Sequence, residues 1–160
     1  SRFVMPASML WRALAASGLP ADRLELEVTE SLVMGAADQV IANLRELKQM
    51  GLILSIDDFG TGYSSLSYLK RFPIDRLKID RSFVCDIDTN PDDAAITTAI
   101  IHLGHNLRLQ VVAEGVETMQ QWAFLREQGC DQAQGYWISK PLGSEALIEF
   151  LRNRRKGMAS

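Results

Sequence analysis

The 160-residue sequence predicts an α/β fold built on a parallel sheet. Three observations carry that reading. Strand-like segments alternate with amphipathic ones from end to end, no linker or composition break marks a second domain, and every strand-like segment ends in polar or charged residues. With 47% hydrophobic and 23% charged residues, the chain can bury one substantial core.

Leu24-Glu-Leu-Glu-Val-Thr-Glu30 alternates strictly, a period-two strand with Leu24, Leu26 and Val28 on one face and Glu25, Glu27 and Thr29 on the other. Residues 36–50 place Val40, Ile41, Leu44 and Leu47 at helical spacing, and Gly51 follows as a helix C-cap. A second strand over 52–57 leads into a glycine-hydroxyl loop, and a short helical piece precedes Pro73. Residues 76–80 form the third strand. Asn90-Pro91-Asp92-Asp93 starts a helix, with an Asn cap, Pro at the first position and acids in the first turn, and this helix runs to about residue 107. The fourth strand spans 109–114, a helix spans 118–128 with Gly129 ending it, and 131–136 is a polar-rich fifth strand. Gly143 or Ser144 caps a final helix toward Arg152.

Five strand-helix units in series imply right-handed crossovers and two candidate architectures, an open doubly wound sheet or part of a (β/α)8 barrel. A complete barrel takes roughly 250 residues and eight units.

Composition narrows the function. A net charge of -3 provides no broad basic field, which argues against DNA as a partner. The basic run 152–156 reads as a solvated helix end. Cys85 and Cys130 lack the paired spacing of a zinc site or disulfide framework and fit a reducing, cytoplasmic compartment. No apolar stretch approaches the ~20 residues of a membrane span, which leaves any membrane anchor to another part of a parent protein.

The strand C-termini present Glu27, then Asp57 and Asp58, then Lys78 and Asp80, then Glu114 with Glu117, then Gln134. In a barrel these ends converge on one mouth, so polar groups placed once per unit assemble into a single site. Taken singly, an Asp-Asp pair after a strand is a turn or cap, Glu27 a solvent-facing residue and Lys78 an ion-pair partner. The joint register is what points to a site. Carboxylates crowded in a low-dielectric mouth repel unless cations compensate them, and hard divalent ions such as Mg²⁺ or Mn²⁺ take carboxylate oxygens, with Asp57 suited to bridge two of them. Lys78 adds a positive donor, and the loop from Gly60 to Ser65 has the glycines and hydroxyls to close over a phosphate. Together these features indicate phosphoryl chemistry. Glu25 sits deeper on the same face and reads as structural, as do His102 and His105 in mid-helix, and Trp11, Trp122 and Trp137 read as packing residues.

Asp58-Phe59-Gly60 matches the metal-binding tripeptide of protein kinases, but no Val-Ala-Ile-Lys strand or His-Arg-Asp loop precedes it. A phospho-receiver domain also carries an acidic pair and a lysine on a parallel sheet, yet leaves Glu27, Glu114 and Gln134 without a task.

The motifs Leu24-Glu-Leu-Glu-Val-Thr-Glu30, Asp57-Asp-Phe-Gly-Thr-Gly-Tyr-Ser-Ser-Leu66, Leu77-Lys-Ile-Asp80, Val112-Ala-Glu-Gly-Val-Glu117 and Gln134-Gly-Tyr136 closely resemble the EAL-domain family of bacterial cyclic-di-GMP phosphodiesterases. The resemblance covers essentially the whole chain. It implies a TIM-barrel-type (β/α)8 fold, here a partial barrel of about five βα units corresponding to the C-terminal two-thirds of the domain. It implies Glu27 and Asp57 as ligands of a first metal, with Asp57 bridging to a second metal that Asp58 and Glu114 also hold. Lys78 orients the nucleophilic water on this reading, Glu117 supports the surroundings of the second metal, Glu30 holds the loop at 60–66, and Gln134 lies near substrate or metal-bound water. The implied reaction hydrolyses cyclic di-GMP to linear pGpG with two Mg²⁺ or Mn²⁺ ions. The Glu-Ala-Leu motif that names the family and an Asn ligand belong upstream of residue 1, so the expectation is an N-terminally truncated domain over 1–160, accompanied in its parent by regulatory or diguanylate-cyclase domains. An unclosed barrel leaves edges that dimerisation or strand exchange would cover. The rival function is a non-catalytic cyclic-di-GMP receptor that signals to a protein partner.

Overall fold

The structure, a computed structural model, describes residues 7–30, 38–62 and 69–157. Its described elements run α1 (Ala7–Ser17), a 3-10 turn (Ala21–Arg23), β1 (Glu25–Thr29), α2 (Asp38–Gln49), β2 (Ile53–Phe59), β3 (Arg76–Ile79), α3 (Arg81–Val84), α4 (Pro91–Asn106), β4 (Gln110–Ala113), α5 (Met119–Glu127), β5 (Gln132–Ala133) and α6 (Ser144–Gly157). The strands form one parallel sheet in the order β1-β2-β3-β4-β5, so each crossover moves one place along the sheet. That order belongs to a barrel wall, because a doubly wound sheet reverses direction partway.

Pairing of Glu27 with Ser55, Ser55 with Arg76, and Lys78 with Val112 puts the polar alternates of neighbouring strands on one face. Leu54, Ile56, Leu77, Ile79, Val111 and Ala113 occupy the other face, and with Ile41, Leu44 and Leu47 of α2 and Ile100 and Ile101 of α4 they make the core. On the polar face, Arg76 donates to Glu25 and, at 3.1 Å, to Gln110, which ties the lower layer of three strands together.

The helix signals act as the sequence indicates. Asn90 accepts from the Asp92 N–H at 3.0 Å with Pro91 in the first turn of α4, and Thr118 and Gln121 close a reciprocal capping box at the start of α5. The short helix expected before Pro73 falls mostly in 63–68, outside the described residues.

Three local expectations need correction. First, β2 runs on to Phe59 instead of stopping at Asp57, with a register shift against β3 between Ile56 and Phe59 and Asp58 at φ 54°. The buried Phe59 ring, 3% exposed, anchors the extra residues in the core, and the irregularity lets the strand pass two acids to the rim before it ends. Second, β5 pairs only at Gln132–Ala133. A Cβ on Gly135 would lie 2.1 Å from the Val116 carbonyl oxygen, so the loop after β4 presses on the chain there and turns it, leaving Tyr136 exposed. Third, Trp11 is 58% exposed and packs no core, whereas Trp122 and Trp137 stack with ring centroids 6.0 Å apart. Among the described residues, no helix is long and apolar enough to cross a membrane.

Candidate active site

Lys78 is the penultimate residue of β3 and only 5% exposed, so its ammonium must find partners at the sheet's C-terminal rim. It finds three, one from each of three other strand ends. Nζ lies 2.6 Å from Glu27 Oε1, 2.6 Å from Glu114 Oε1 and 3.2 Å from Asp57 Oδ1. Burial alone would lower its pKa, but hydrogen bonds to Glu114 and Glu27 and the charges around it win and raise it. Lys78 is therefore a fixed cation at neutral pH. Burial raises the Glu114 pKa, with Asp57 and Glu27 adding repulsion that the Lys78 contact only partly offsets. Asp57 Oδ1 is buried without a well-directed hydrogen bond despite its ion-pair distance to Lys78, and the Ser55 hydroxyl beneath it on the same face is unpartnered as well.

Asp58 stands apart from that trio. It is exposed at the rim, and its pKa is raised first by desolvation and then by the charges of Asp57 and Asp80. Asp80 caps α3, accepting from the Ser82 N–H at 2.8 Å and from the Ser82 hydroxyl, and these bonds hold its pKa down against burial. An Asp followed two residues later by Ser at a strand end is a recognisable cap, and Asp80 takes that structural role.

Glu30 is 2% exposed at the end of β1, and its Oε2 accepts from the Gly60 N–H at 3.0 Å. A Cβ on Gly62 would come within 3.0 Å of Glu30 Oε1, so the first turn of the loop folds directly onto this carboxylate. Residues 63–66 of that loop lie outside the described residues. Gln134 is held by its backbone, its N–H donating to the Ala113 carbonyl at 2.8 Å and its carbonyl accepting from Val116 N–H at 3.0 Å. With Glu114, Glu117 and Tyr136 it lines a concavity of about 180 Å³.

The structure thus gathers Lys78, Glu27, Asp57 and Glu114 into one contact group. Asp58 and Asp80 lie to one side of it, Glu117 and Gln134 to the other, and Glu30 buttresses the loop behind. Among the described residues, no three acids are spaced to hold one ion as they stand, because Lys78 occupies the centre of the group. The donors nevertheless suit hard divalent cations. All are oxygens, they outnumber the cations beside them, and the buried Asp57 Oδ1 has coordination capacity to spare.

The family model of the EAL domain matches residues 5–141. The chain is 57% identical over 143 residues to "Cyclic di-GMP phosphodiesterase NbdA" of Pseudomonas aeruginosa, a match covering 89% of the chain and 18% of that protein. The solved "PaMucR Phosphodiesterase, c-di-GMP complex" superposes with a TM-score of 0.84 at 48% identity, over 88% of this chain and 57% of that one. The Klebsiella pneumoniae "BlrP1 pH 9.0 manganese/cy-diGMP complex" superposes at 0.77 with 40% identity, over 84% of this chain and 34% of that one. The chain spans about a fifth of the length of the curated relatives it matches.

Proposed function

Because this chain belongs to the EAL domain family, we propose that it carries the metal-dependent centre of a cyclic-di-GMP phosphodiesterase, which opens the cyclic dinucleotide to linear pGpG. The single observation that carries the reading is the convergence of Glu27, Asp57 and Glu114, from three other strand ends, on Lys78 of a fourth. That arrangement has little value for stability alone, since several acids sharing one buried cation leave net negative charge in a low-dielectric rim. It has value as a site that accepts further cations.

Glu27, Asp57, Asp58 and Glu114 are the residues that would hold two divalent ions of the Mg²⁺ or Mn²⁺ class, which when bound activate water and neutralise charge on the transferring phosphate. Lys78, fixed and charged, orients the attacking water and donates to the phosphate oxygens as negative charge builds on them. Water adds to phosphorus, the bond to one ribose 3′ oxygen breaks, and that oxygen leaves as the hydroxyl of the linear product. Glu30 holds the Gly60 turn against the rim, which limits entry of bulk water. Glu117 supports the second cation's surroundings, and Gln134 presents an amide near substrate.

Regulatory or diguanylate-cyclase domains are the partners we propose for this domain, and a second copy of the chain is the partner that would cover an open sheet edge. A cytoplasmic setting belongs to the same proposal, since two free thiols fit a reducing compartment. The test is incubation with cyclic di-GMP and Mn²⁺ or Mg²⁺, followed by chromatography for pGpG, on this chain and on one extended upstream by about a third of a barrel. Formation of pGpG that Asp57→Asn abolishes supports the reading. Binding without product in both chains points instead to a receptor.

A further inference from the structure

Arg81 opens α3 two residues beyond the end of β3, and its guanidinium Nη2 donates to Glu117 Oε1 at 2.7 Å. The contact joins the rim after β3 to the loop after β4, and both side chains line the concavity that contains Glu114 and Gln134. The backbone is shaped around this arm. Gly115 has φ +71°, and a Cβ there would lie 2.2 Å from Arg81 Cγ, so the absence of a side chain leaves the slot in which the arginine stem lies.

Glu117 is already fixed through its main chain. Its N–H donates to Gln121 Oε1 at 2.7 Å, and Gln121 Nε2 donates to the Cys85 carbonyl at 2.8 Å. Its carboxylate is the part left to swing, and Arg81 is what holds it. Stability does not explain the pair, because the side chains are 62% and 41% exposed and an exposed ion pair contributes about 0–1 kcal/mol.

We propose that Arg81 is a positioning residue for the nucleotide site. It fixes the Glu117 carboxylate in one orientation at the edge of the concavity, and Gly115 provides the room to do so. The inference rests on the cyclic-dinucleotide reading above and adds to it a residue that acts through Glu117.

The test measures cyclic di-GMP affinity in Ca²⁺ together with steady-state kinetics in Mn²⁺ and the melting temperature. Arg81→Ala is expected to weaken nucleotide binding or raise KM about tenfold, a change equivalent to ~1.4 kcal/mol, with the melting temperature unchanged. Arg81→Lys should recover part of the loss, because it restores the charge without the planar fork. Gly115→Ala should imitate Arg81→Ala. Should that variant fail to fold, a double-mutant cycle decides the matter, since adding Arg81→Ala to Glu117→Gln should cost little more than Glu117→Gln alone. Wild-type affinity in Arg81→Ala, or fully additive losses in the cycle, overturns the proposal while leaving the functional reading in place. A wild-type chain that binds no cyclic di-GMP overturns both.

Discussion

The Lys78 ammonium and the Glu114 carboxylate meet at 2.6 Å across neighbouring strands, with Glu27 and Asp57 crowding the same cation. Removing the lysine leaves three acids facing one another with nothing between them. Lys78→Met is therefore expected to lower the stability of the metal-free chain by about 3 kcal/mol and to abolish hydrolysis. Urea unfolding with and without Mn²⁺ checks this. Added Mn²⁺ should recover much of the stability and none of the activity, because the ion replaces the missing charge but not the oriented donor.

Glu30→Ala removes the acceptor of the Gly60 N–H from a position only 2% exposed. An unsatisfied buried donor costs about 1–3 kcal/mol, and the turn at 60–62 should loosen with it. Amide hydrogen exchange at Gly60 should accelerate and nucleotide affinity should fall, whereas unchanged exchange would separate Glu30 from the loop.

Gly60 itself has φ +102°, and a Cβ there would lie 2.9 Å from the Phe83 ring and 3.1 Å from Ile100 Cδ1. Gly60→Ala meets both the backbone penalty and a close contact with two core side chains. A loss of about 2 kcal/mol or more is expected from these combined effects, visible as a lower denaturant midpoint with the m-value unchanged.

Cys130 offers a pH readout away from the site. Burial pushes its thiol from the ordinary value of 9.0 up to about 11. The folded chain then holds a proton that the unfolded chain releases first. The resulting stability is complete below about pH 9 and is lost as pH rises toward 11. Iodoacetamide should modify the half-buried Cys85 well before Cys130 at pH 8. Equal rates at the two thiols would contradict this placement.

Much of the site was legible because it is written once per strand. Period-two alternation fixes which face each residue takes, and strand ends fix the level, so Glu27, Lys78 and Glu114 were placeable from spacing alone. The bulge at Asp58 was not, because it depends on Phe59 finding a hole in the core, a tertiary fact. The shortening of β5 depends in the same way on Val116 pressing against Gly135. Spacing also gives no hint of Arg81 with Glu117, since residues 36 positions apart meet only when β3 and β4 are paired. His105, read as structural, pairs with Asp131 at 3.0 Å, a partner that lies in a different strand-helix unit.

The most direct test of the central claim, that Lys78 gathers acids which bind divalent cations, is calorimetric titration of Mn²⁺ into the metal-free chain, with Asp57→Asn beside it. Saturable binding at the Asp57 cluster that Asp57→Asn removes is expected, accompanied by a rise in melting temperature for the wild type only. Absence of binding in the wild type, or equal binding in Asp57→Asn, would contradict it.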